Sequence, residues 1–139
     1  MNNQHFNNYF RGYKNKFRDK LFKDGDEYYC TNLVSIVKLY SSYGLDYTDE
    51  TSRLKDYVDM FDNEYELYGY TDLMGHIFDM KSIPNMDFCC DPRKIEKVQL
   101  LVKGCMNAPR VVKRKDRDQY AIKIDGDYGY GYILPIRNY

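Results

Sequence analysis

The sequence predicts an α+β fold: a helical N-terminal two-thirds of about four or five helices, packed on a C-terminal three-stranded antiparallel meander. Three observations predict it. Apolar residues between positions 4 and 80 recur at steps of three and four, the period of a helix with one buried side. Asp91-Pro92 sets a capping carboxylate before a proline at the first helical position. After Pro109 the period falls to two, as in a half-buried strand.

Each element follows in order. Residues 4–23 read as a basic helix with an aromatic stripe of Phe6, Phe10, Tyr13, Phe17 and Leu21, ended by the turn chemistry of Asp24-Gly25-Asp26. Thr31 caps a second helix through Leu33, Val34, Ile36, Val37, Leu39 and Tyr40, closed at Gly44. Thr48 or Thr51 opens an acidic third helix with Leu54, Tyr57, Val58, Phe61, Tyr65 and Tyr68, ended by Gly69. Thr71 caps a short fourth through Leu73, Met74, Ile77, Phe78 and Met80. The helix opened by Pro92 carries Ile95, Val98, Leu101, Val102 and Cys105. The meander spans 110–114, 119–124 and 128–136, with Asp125-Gly126 as a hairpin turn. Gly129 and Gly131 weaken its last strand and mark a bulge or a close backbone approach.

Length and composition bound the function. A chain of 139 residues is one domain, and apolar residues run through all of it. No apolar run is long enough for a transmembrane helix, and residues 1–10 carry no apolar leader. The expected setting is the reducing cytoplasm, of a host cell if the chain is viral, with Cys30, Cys89, Cys90 and Cys105 as free thiols. Those cysteines, with His5 and His76, match no zinc spacing, and neither metal nor cofactor is expected.

Motifs of catalysis are weak. Gly126, Gly129 and Gly131 lie in and after a hairpin, not between strand and helix as a phosphate loop requires. Asp125-Gly126-Asp127 completes no calcium loop. His76, between Asp72 and Asp79, has no evident nucleophile beside it. No catalytic residue is assigned, and a cryptic hydrolase is the third reading.

Charge is segregated although the total is zero. Residues 1–38 carry +3, residues 39–92 carry −9 and residues 93–139 carry +6. On the acidic segment Asp56, Asp59, Asp62 and Glu66 stand at steps of three and four, as a row that could mimic nucleic acid toward a basic partner. Tyr128, Tyr130 and Tyr132 fall on one strand face as aromatic anchors. A rival face is basic: Lys14 and Arg18 on the first helix, with Lys113, Arg114 and Arg117 at the first meander turn, placed to touch phosphate. A helix before a basic-tipped hairpin is similar to a winged helix, but no short-turn helix pair precedes Pro92.

Sixteen Tyr, seven Phe, no Trp and few Ala give the chain the style of an AT-rich genome. Size, style and the lack of catalytic motifs together look like a small accessory protein of a phage or mobile element. The leading expectation is a non-enzymatic binder that inhibits a host protein, such as a nucleic-acid-handling defence effector, in the manner of CRISPR inhibitors. The alternative is a small DNA- or RNA-binding regulator.

Overall fold

The computed structural model describes residues 3–62, 65–71, 77–78, 87–89, 92–104, 109–114, 119–133 and 136–138. Among them are three helices and ten strands, so the chain is not a helical two-thirds set on a small meander. The helices are α1 (Asn3–Phe10), α2 (Leu54–Asp62) and α3 (Pro92–Val102). The strands are β1 (Phe22–Asp24), β2 (Glu27–Thr31), β3 (Ser35–Leu39), β4 (Tyr65–Thr71), β5 (Ile77–Phe78), β6 (Asp87–Cys89), β7 (Arg110–Arg114), β8 (Tyr120–Asp125), β9 (Gly129–Ile133) and β10 (Ile136–Asn138). Eight of them form one antiparallel sheet in the order β1-β2-β3-β9-β8-β7-β4-β5, and β6 pairs with β10.

The C-terminal strands lie close to their expected positions, but they occupy the middle of this sheet. On one side β9 joins β3, with Val37 opposite Gly131, and on the other β7 joins β4. Side chains alternate between two cores, as the strand period requires. Cys30, Val37, Leu39, Ile122, Ile124 and Ile133 face α1 and α3, while Tyr29, Val112, Ala121 and Tyr132 face α2. Helices therefore cover both faces of the sheet.

The first helix ends early, and the reason is local. Gly12 takes φ +89, and the Tyr13 N–H donates to the Phe10 carbonyl at 3.0 Å, which closes a turn. Phe6, Tyr9 and Phe10 are buried against α3, whereas Phe17 packs on the opposite core. The aromatic stripe is thus shared between two layers. Asp24-Gly25-Asp26 is a turn, but it joins β1 to β2, with Asp24 opposite Glu27 and Gly25 at φ +64.

The expected second helix is the β2–β3 hairpin. Thr31, Ile36 and Val37 are β-branched, and Ser35, Val37 and Leu39 are buried in alternation. The third helix is shorter than expected. It stops at Asp62, and Tyr65–Thr71 forms β4, with a register shift between Leu67 and Gly69. Of the fourth helix, Ile77 and Phe78 are in a strand, and Leu73, Met74 and Met80 lie outside the described residues.

The helix at Pro92 forms, with Ile95, Val98, Leu101 and Val102 buried. It lies on Gly131 of β9, while Gly129 abuts the β3 backbone. A Cβ on Gly131 would stand 2.8 Å from Val98 Cγ1, and one on Gly129 would stand 1.9 Å from the Lys38 carbonyl oxygen. Close approach explains both residues.

Candidate binding site

The α2 face carries the features that distinguish this chain. Asp62, at the end of α2, accepts hydrogen bonds from the hydroxyls of both Tyr130 and Tyr132 on β9, one at each carboxylate oxygen. Lys123 on β8 lies 3.9 Å from Asp62 and 4.5 Å from the Tyr130 ring centre. Phe61 stacks on Tyr132 at 5.0 Å. Further along the sheet, Glu27 pairs with Lys38 and accepts from the Tyr29 hydroxyl at 3.0 Å. The contact with Lys38 holds the Glu27 carboxyl below its usual range. Burial, and then the bond to Asp62, raises the Tyr130 and Tyr132 phenols, which stay protonated donors. This network clasps α2 to the sheet.

The sequence named two groups that meet here, the carboxylate Asp62 and the aromatics Tyr130 and Tyr132. The rest of each set is elsewhere. Asp56 is exposed, and Asp59 is paired with Lys55 at 2.8 Å. Each three-residue step turns a helix back by about 60°. Asp62 is therefore swung toward the sheet while Asp56 stays in solvent. Glu66 is on β4, opposite Lys113, and not on the helix. Tyr128 lies in the turn before β9 and packs instead on the α1–α3 core, 4.4 Å from the Tyr43 ring. Lys14 and Arg18 lie in the connection after α1, Arg18 in a turn 3.6 Å from Asp19. Lys113 and Arg114 are on β7, and Arg117 lies outside the described residues, as do His76, Cys90 and Cys105. Cys30 is buried, which raises its thiol pKa.

Beside the network lies a groove of about 650 Å³. Its walls are Leu33, Val34 and Ile36 of the β2–β3 hairpin, Leu54, Tyr57 and Phe61 of α2, and Phe17. Tyr132 lines its sheet side, and Lys16 and Arg53 are its charged residues. The volume is in the range of small-ligand and side-chain pockets. Backbone bonds place its parts. The Thr48 N–H donates to the Leu21 carbonyl at 2.8 Å and the Lys23 N–H to the Thr48 carbonyl at 3.0 Å. This tie fixes the segment that delivers Thr51, Ser52 and Arg53 to the mouth.

Leu33 stands at that mouth, 59% exposed, with φ +76. A left-handed backbone is unfavourable for leucine, so the surroundings must hold it. They do so with a buried polar knot. Thr31 Oγ1 accepts from the Leu33 N–H at 3.0 Å and donates to the Ser35 carbonyl at 2.7 Å. Asn32 Oδ1 accepts from the N–H groups of Val34 and Ser35, and its Nδ2 donates to the Tyr9 carbonyl at 3.0 Å. The Tyr9 hydroxyl and Ser35 Oγ are 2.9 Å apart. Thr31, Asn32 and Ser35 are all buried, and every bond braces the turn that displays Leu33.

Sequence reasoning put Leu33 and Tyr57 on two helices, by their spacing. The missed signal is Thr31-Asn32, two residues whose side chains favour turns over a continuing helix. Among the described residues, Tyr132 is the one sequence-named binding residue that lines the groove.

Among the described residues, no three His, Cys, Asp or Glu side chains converge as metal ligands would, and no helix is long and apolar enough to cross a membrane. No family model matches the chain, and no characterised protein or solved structure is significantly similar to it.

Proposed function

We propose that the chain is a binding protein rather than a catalyst, and that it grips a partner protein through the groove beside α2. The observation that carries this reading is Leu33. An apolar side chain is held out at the mouth of an apolar groove, on a strained backbone fixed by a buried hydrogen-bond network. Stored strain at a braced turn is characteristic of functional sites. A pre-positioned anchor binds with less ordering cost than a mobile one. Tyr57 at 50% exposure and Met60 at 40% extend apolar surface along the same helix.

The proposed partner is a host protein, such as a nucleic-acid-handling defence effector, and the proposed setting is the host cytoplasm. The compositional style of a phage or mobile-element accessory protein supports that part. Its action in this reading is inhibition by occupancy.

The test is in-cell photo-cross-linking. A photoreactive residue replaces Leu33 or, as control, Leu100, which is 41% exposed and outside this groove. A protein adduct formed from position 33 and not from 100, which then binds the purified chain, supports the reading. Equal adducts from both positions, or none, overturn it.

A further inference from the structure

The charge around the groove narrows what enters it. Its two charged lining residues, Lys16 and Arg53, are both cationic and both exposed. Among the described residues no carboxylate lines it. Among the described residues, neither cation is ion-paired. Lys16 instead lies 5.0 Å from the Phe17 ring centre, at the apolar wall.

We infer that the groove takes an acidic, apolar segment of the partner protein: an aliphatic or aromatic side chain seated between Leu33, Tyr57 and Phe61, flanked by carboxylates that meet Lys16 and Arg53. This inference rests on the binding reading above and adds the chemistry of what is bound. The apolar anchor supplies affinity, and the two cations select the flanking charge and speed encounter. A basic segment is disfavoured by repulsion from Lys16 and Arg53. Phosphate alone does not satisfy the apolar walls, which is why a protein segment is favoured over nucleic acid.

A peptide-display selection on the immobilised full chain, with counter-selection on Leu33→Asp, tests this. Leu33 is exposed, so the variant folds, and circular dichroism checks that it does. Recovered peptides are titrated by fluorescence anisotropy on wild type and on the Lys16→Glu/Arg53→Glu double variant. The expected clones depend on Leu33, place Asp or Glu beside an apolar residue, and lose about tenfold in affinity on the double variant, two exposed charge pairs having become repulsive. Wild-type affinity for them also falls with added salt, a readout that does not depend on any variant. Leu33-dependent clones with neutral or basic flanks overturn the acidic assignment and leave the binding reading standing. No Leu33-dependent clone overturns both. So does Leu33-dependent binding of a labelled oligothymidylate, or Leu33-dependent self-association in sedimentation, since nucleic acid or a second copy would then occupy the groove.

Discussion

Replacing Leu33 by alanine and by glycine separates its backbone from its side chain. Both variants lose the isopropyl group, so both lose nearly all the burial and binding the leucine side chain supplies. They differ in the Cβ methyl, and so in how well each tolerates φ +76 and in the freedom of the unfolded chain. A Cβ in the left-handed region costs about 1–2 kcal/mol. Glycine forfeits about 0.5–1 kcal/mol of that through the greater freedom of its unfolded chain. The expected result is that Leu33→Gly is more stable than Leu33→Ala by about 0.5–1 kcal/mol. For a domain of this size the gain raises Tm by about 2–4 °C. Thermal and urea unfolding followed by circular dichroism measure it. At an ordinary turn or strand position the order is reversed, alanine being the better residue. If Ala equals or exceeds Gly at 33, the turn does not hold a left-handed leucine, and the argument that this residue is displayed under strain fails.

Asp62→Ala leaves two phenols without their acceptor at the join of α2 and β9, and it should cost about 1–3 kcal/mol in urea unfolding; a loss below 0.5 kcal/mol would show that the clasp is not structural. Gly131→Ala places a methyl 2.8 Å from Val98 Cγ1 and should cost about 1–3 kcal/mol, and Val98→Ala in the same chain should recover part of that; additive losses would contradict close approach as the reason for glycine. Burial raises the phenol pKa of Tyr9, Tyr29, Tyr130 and Tyr132, so the protonated form is the one the fold favours. Their stabilising effect is full below the unfolded tyrosine value of about 10 and is lost as pH rises beyond it. Absorbance at 295 nm should therefore show a group of tyrosines ionising only as circular dichroism reports alkaline unfolding, and independent titration of all sixteen near pH 10 in the folded chain would refute this. Glu27 works in the opposite sense: its lowered pKa stabilises above the unfolded carboxylate value of about 4.3, and that contribution disappears as pH falls.

What could be read from the sequence follows physical lines. α3 was legible because Asp91-Pro92 fixes a start and four apolar residues keep one period. The C-terminal strands were legible because Tyr120, Ile122 and Ile124 alternate and Asp125-Gly126 is a turn. The N-terminal half was misread for identifiable reasons. Phe6, Phe10 and Phe17 stand at spacings that suit a helix, yet Gly12 ends the helix and Phe17 serves another layer. Thr31 accepts the N–H two residues ahead, which is also what a helix cap does, so its chemistry pointed equally to a helix start and a strand end. The hairpin turn puts leucine where glycine would have announced it. The widest gap lies in pairings between distant segments. Placing β9 between β3 and β8 joins segments some ninety residues apart, and no local pattern encodes that. The site shares this limit. Asp62, Tyr130 and Tyr132 were each picked out by residue type, but their junction across 68 and 70 residues is visible only in the fold.

The account stands on the groove beside α2 being where a partner is held, and one comparison tests that most directly. A partner cross-linked at position 33 is purified and titrated against wild type, Leu33→Asp and Leu100→Asp. Both variants put a carboxylate at an exposed leucine, and only one of the two leucines borders the groove. Loss of a central apolar anchor costs about 2 kcal/mol or more, so Leu33→Asp should weaken binding at least about thirtyfold, while Leu100→Asp should change it less than about twofold. Equal losses for the two variants, or tight binding retained by Leu33→Asp, would contradict the account.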